Sequence, residues 1–200
     1  MAQMLWVSNC IIEDITFSVS SSQGITNGCS AIRLEGDSTD QCEGNVITKC
    51  NIDSFGKLLN SSFNYGHGIL FDAYCKKNVI DSNYIHDCQG HIFIDDNSEE
   101  NIVSNNNLYS SPSSGADYEA IHFRSSHYKC VNGNTIDGAE LGYHGIRIEK
   151  SLGCSILNNT CKNLYGNGIL LDSSDEENPS DYNSIVGNIC HNCVTIWNIP

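Results

Sequence analysis

The three arginines of this 200-residue chain, together with carboxylates and histidines, fall at matching points of one recurring five-residue segment, found at 31–35, 68–72, 91–95, 120–124, 145–149 and 168–172. Its fifth positions read Glu35, Asp72, Asp95, Arg124, Glu149 and Asp172, and its third positions read Arg33, Leu70, Phe93, His122, Arg147 and Leu170. If successive copies stack as neighbouring strands, Asp95 and Glu149 stand about 9.6 Å apart, near the upper end of the carboxylate separation of inverting glycosidases. Asp72 and Asp95 stand about 4.8 Å apart, which suits a shared cation or a mutually raised pKa. Arg124, between Asp95 and Glu149, could stabilise a developing anion, and His122 could move a proton. The expected catalytic set is therefore Asp95, His122, Arg124 and Glu149, with Asp72, His91, Asp96 and Arg147 beside it to bind substrate. The competing reading is a salt-bridged column in which Arg124 merely neutralises two acidic neighbours.

These residues need an element that repeats. In each copy the second and fourth positions are mostly Ile, Leu or Phe, the pattern of a strand with one buried face, so the first, third and fifth positions are expected to face outward. The second-position Ile recurs at 32, 69, 92, 121, 146 and 169, in steps of 37, 23, 29, 25 and 23 residues. A second segment follows each copy, with two mostly apolar residues, a polar residue that is usually Asn, and a further apolar residue; Val79-Ile80 leads to Asn83 and Ile85, and Ile102-Val103 leads to Asn106 and Leu108. Three short strands joined by turns fit the period, whereas a propeller blade needs about 40 residues. The 24 Asn and 23 Ile against 6 Ala and 12 Leu argue against helical folds, since Asn favours turns and Ile favours strands. The fold expected is all-β, a right-handed parallel β-helix of about seven coils forming one domain over 1–200. The Asn83, Asn106, Asn134, Asn159 and Asn188 series reads as an asparagine ladder at a turn, with a structural role.

Through that Asn series and the Gly-Ile strand starts, residues 5 to 196 resemble the parallel β-helix repeat proteins of the pectate-lyase-like superfamily, including its carbohydrate-binding and sugar-hydrolase group. The resemblance implies a module that binds or processes polysaccharide, as a hydrolase, a lyase, an epimerase or a tail-spike-like protein, along outward residues of one sheet. The alternative is a non-catalytic structural or adhesive rod of a surface or viral fibre protein. Gly66-His67-Gly68 and Arg147-Ile148-Glu149-Lys150 are similar to motifs of polygalacturonase-type hydrolases, and Asp95-Asp96 to their paired aspartates, but the order is inverted and Glu149 interrupts the basic motif. Insertions at 53–67 and 109–119 lead into strand copies, and their Tyr65 and Tyr118 are expected to stack on sugar rings.

A net charge of −14 argues against a surface that tracks phosphates, so nucleic acid is not an expected partner, and no apolar run is long enough to insert in a membrane. The expected partner is a glycan, with flanking domains or homo-oligomerisation covering open ends. The sequence specifies no cofactor; calcium is an ion that the acidic run Asp172, Asp175, Glu176 and Glu177 could take. The start shows no secretion signal, while the carbohydrate reading implies a secreted, surface or virion setting. Most of the eleven cysteines, some of which replace core residues of the repeat, are expected to be free thiols; the single Cys-x-x-Cys, Cys190 and Cys193, has no second pair at zinc-finger spacing.

Overall fold

The computed structural model describes residues 2–5, 7–19, 30–55, 66–110, 119–139, 144–172 and 180–194. Among them there is no helix; the strands assemble into three seven-stranded sheets and one two-stranded sheet. Every pairing is parallel and links equivalent positions of successive repeats, so the chain is a parallel β-helix.

The register stacks like on like. On the first sheet, Ile32, Ile69, Ile92, Ile121, Ile146 and Ile169 form one column, all with no exposed surface. Ile47, Ile80, Val103, Val131 and Ile156 form the column of the second sheet. Ile52, Ile85, Leu108, Ile136, Cys161 and Cys190 continue the third. No coil can bury its apolar side alone, so stacking supplies the core.

Between the second and third sheets the chain turns through a left-handed residue, φ 53° at Lys49, 57° at Ser82, 54° at Asn105, 68° at Gly133 and 54° at Asn158, which is why Asn and Gly recur there. The next residue is the expected ladder. Asn83, Asn106 and Asn134 each donate their backbone N–H, at 2.9 Å, to the side-chain oxygen of the Asn one coil on, and each side-chain amide reaches back to a carbonyl at Ile47, Ile80 or Val103.

The alternation expected along the first strand fails at its first position. Ala31, Gly68, His91, Ala120, Gly145 and Gly168 are all buried; at 31, 120, 145 and 168 the chain is in a bend before the strand begins, whereas Gly68 and His91 already lie within strands His67–Phe71 and Gly90–Ile94. The residues one step earlier, among them His67, Glu119 and His144, take the place beside the third and fifth positions. Tyr65 and Tyr118, with Asp175, Glu176 and Glu177, lie outside the described residues.

Candidate functional site

Phe93 is the centre of the first sheet's outer face. Its ring centroid lies 4.9 Å from that of His67 and 4.8 Å from that of His122, the latter stacked at 24°, and the Arg124 guanidinium sits 5.2 Å above it. His67 reaches the ring across Gly90, where a Cβ would come within 2.5 Å of the imidazole, so a larger residue there would displace it. The result is an aromatic floor with two imidazoles and a cation packed around it.

The charged groups divide into two sets. Arg124 binds Asp95 through two parallel contacts, Nε to Oδ1 at 2.8 Å and Nη2 to Oδ2. Asp95 is only 5% exposed, so this pair carries more weight than a surface one. Although Arg124 stands in register with Glu149, Glu149 is held from elsewhere: its Oε2 lies 3.0 Å from His122 Nε2 and 3.3 Å from Arg147 Nη2. Arg147 also contacts Glu119 at 3.0 Å and Asp172 at 2.7 Å, and Glu119 closes the ring with a 3.7 Å approach to His122 Nδ1. His122 therefore lies between two carboxylates, hydrogen-bonded to Glu149 and 3.7 Å from Glu119, which fixes its ring.

Of the expected catalytic residues, the structure places His122 and Glu149 in contact and ties Asp95 to Arg124, on neighbouring parts of one face. Arg147 joins the first set. Asp72 pairs instead with Arg33, farther along the sheet, and Asp96 is exposed at the turn. His91, expected outward, is 3% exposed and bonds the Tyr109 carbonyl through Nε2 at 3.0 Å, because the first position points inward. The sequence reading passed over Glu119 and the ring of Phe93 as members of the site. The signal for Glu119 was its column, shared with His67 and His144, immediately before each strand.

Burial pushes the His67 imidazole down to about 3, with His122, His91 and Arg124 adding repulsion, so it is neutral at neutral pH. Among the described residues its buried Nδ1 has no hydrogen-bond partner, at the edge of the Phe93 floor. Burial also lowers His91, to about 4. The hydrogen bond from His122, ahead of an opposing burial effect, holds Glu149 below the usual carboxylate range, while burial and then Asp95 raise Asp96.

A separate cluster lies on the outer face of the third sheet. His86 Nδ1 is 3.3 Å from Asp53 Oδ1 and 3.2 Å from Asp87 Oδ2; Asp53 and His86 are register partners on adjacent coils, and Tyr84 stacks on the imidazole at 4.6 Å. Ligand atoms of the three residues all fall within 4.8 Å of one another, the spacing of a metal-ligand set.

Two crystal structures of the periplasmic alginate epimerase AlgG match this architecture. The first, at 15% identity and a TM-score of 0.60, covers 97% of this chain and 47% of that one; the second, of a double mutant, gives 16%, 0.57, 98% and 50%. The chain thus spans about half the length of these structures, and at such identity the likeness is one of fold. No curated protein matches the chain in sequence. The model of a protein family does, over residues 60–198, and through that match the chain belongs to the family described as periplasmic copper-binding protein (NosD).

Proposed function

We propose that the chain is a polysaccharide-processing β-helix module whose sugar-binding and proton-transferring residues lie on the outer face of the first sheet. One observation carries this reading: His122, stacked on the Phe93 ring, is held between Glu149 and Glu119 with Arg124 and Arg147 alongside. Phe93, 5% exposed, seats the imidazole and the Arg124 guanidinium, the imidazole and Glu149 form an acid-base pair, and the arginines suit carboxylate or developing negative charge on the sugar. His67 adds a neutral imidazole. The AlgG structures support the reading, since AlgG is an alginate epimerase on the same fold. A rod that served only as a spacer would not need a desolvated imidazole between carboxylates on one face. The test is a glycan array probed with wild type, Arg124→Ala and Phe93→Ala, with and without calcium. The reading expects a bound glycan and at least about a tenfold loss in each variant, near 1.4 kcal/mol; a wild type that binds no glycan would leave the structural rod in its place.

A second reading rests on Asp53, His86 and Asp87 together with the copper named in the family description. Two carboxylates and an imidazole are donors that cupric ion accepts and that soft cuprous ion disfavours, so these residues fit the oxidised ion. Asp53, His86 and Asp87 would hold it, and it would supply Lewis acidity on the third sheet. Electron paramagnetic resonance during a Cu(II) titration checks this: one site lost in His86→Ala supports it, and an unchanged spectrum and stoichiometry in that variant contradicts it.

A further inference from the structure

The inner column of the third sheet ends in two cysteines, Cys161 and Cys190, which are register partners on adjacent parallel strands. Their Cα atoms are therefore about 4.8 Å apart, inside the 4.4–6.8 Å window of disulfides. Both are free thiols. Cys190 fills a recess that only a glycine leaves open, since a Cβ on Gly168 would come within 2.3 Å of its Sγ. Cys161 is fully buried, whereas Cys190, in the last described coil, is only partly buried. Cys193, the other member of the Cys-x-x-Cys, is engaged with the backbone, its Sγ 3.6 Å from the Cys161 carbonyl oxygen and 3.5 Å from that of His191.

We propose that Cys161 and Cys190 are a redox-active dithiol that takes oxidising equivalents from small-molecule disulfides of the glutathione class. The Cys190 thiolate attacks one sulfur of the incoming disulfide, forming a mixed disulfide and releasing the first thiolate. Cys161 gives its proton to that thiolate and attacks Cys190 Sγ, breaking the mixed disulfide and releasing the second thiolate, which takes the proton Cys190 lost at the start. The sum is one protein disulfide formed, one small-molecule disulfide reduced and two thiols released. The division of labour follows from position: the reachable sulfur attacks and the buried one resolves. The two thiols act on each other in the same sense, the neighbouring Cys161 lowering the Cys190 thiol while its own is raised. A second stacked pair, Cys42 and Cys75, has the same register but no exposed surface on either residue, and so serves as an internal control.

The experiment treats the reduced chain with oxidised glutathione in the presence of a chelator, traps remaining thiols by alkylation and maps the linkages by peptide mass spectrometry. Expected are a Cys161–Cys190 bond in wild type and in Cys193→Ser, formation at least about ten times faster than any Cys42–Cys75 bond, and a persistent glutathione adduct on Cys190 in Cys161→Ala. A Cys190–Cys193 bond, or glutathione on other cysteines while Cys161 and Cys190 remain free, overturns the proposal. Mapping in wild type and Cys193→Ser decides the matter even if Cys161→Ala fails to fold.

Discussion

Lys129 occupies a position that asparagine holds in other coils. Asn45, Asn78 and Asn101, each directly before a strand of the second sheet, form another ladder: Asn45 and Asn78 donate their N–H groups at 2.8 and 2.9 Å to the next side-chain oxygen. Lys129 comes next and has no acceptor to offer the Asn101 amide. It is 2% exposed, its Nζ bonds the His127 carbonyl at 3.0 Å, and burial pushes its pKa down to about 7. Between pH 7 and the ordinary lysine value, the unfolded chain keeps a proton that the folded chain has released, so this group makes stability rise with pH. From about pH 9 the unfolded thiols ionise while buried Cys75 and Cys88 stay protonated, and stability turns down. Lys129→Asn should restore the ladder, adding on the order of 1 kcal/mol at pH 7, and should remove the rise above pH 7. Denaturant midpoints of both proteins between pH 6 and 9 measure this; equal slopes would refute it. This second ladder escaped the sequence reading because Lys129 and then Cys154 interrupt it, whereas the first one repeats without a break from Asn83 to Asn188.

At the scale of the elements, the strands were legible because each apolar position must face its copy in the next coil, which forces Ile to recur at one point of the period. The corner before the first sheet was not legible. Alternation assigns faces only where the pleat is regular, and the residues at the sheet's entry depart from it: His91 is inside and Glu119 is in the site. Asp53 and His86 are 33 residues apart and meet only through register, so their cluster with Asp87 left no local motif. The ladder itself bears weight that can be measured. Asn134→Ala removes the acceptor of the Asn106 N–H and the donor to the Val103 carbonyl, leaving two buried groups unsatisfied. The expected cost is about 2 to 4 kcal/mol, with no change in far-UV spectrum. A loss below about 0.5 kcal/mol by urea denaturation would mean that water or relaxation satisfies those groups.

For the whole molecule, the three sheets have different roles. The inner columns hold the solenoid together, the third sheet carries the Asp53, His86 and Asp87 cluster outside and the Cys161 and Cys190 pair inside, and the first sheet carries the Phe93 floor with its imidazoles, carboxylates and arginines. The separation lets each face be tested without disturbing the others, since coils contact only their neighbours. The most direct test of the central claim is turnover: a panel of acidic and neutral polysaccharides incubated with wild type, His122→Ala and Glu149→Gln, with products followed by chromatography and proton NMR and folding by far-UV spectrum. The account predicts that wild type alters at least one polysaccharide and that each folded variant loses at least about a hundredfold in rate, the contribution expected of a group that moves a proton. Turnover that survives both substitutions at the wild-type rate would contradict it.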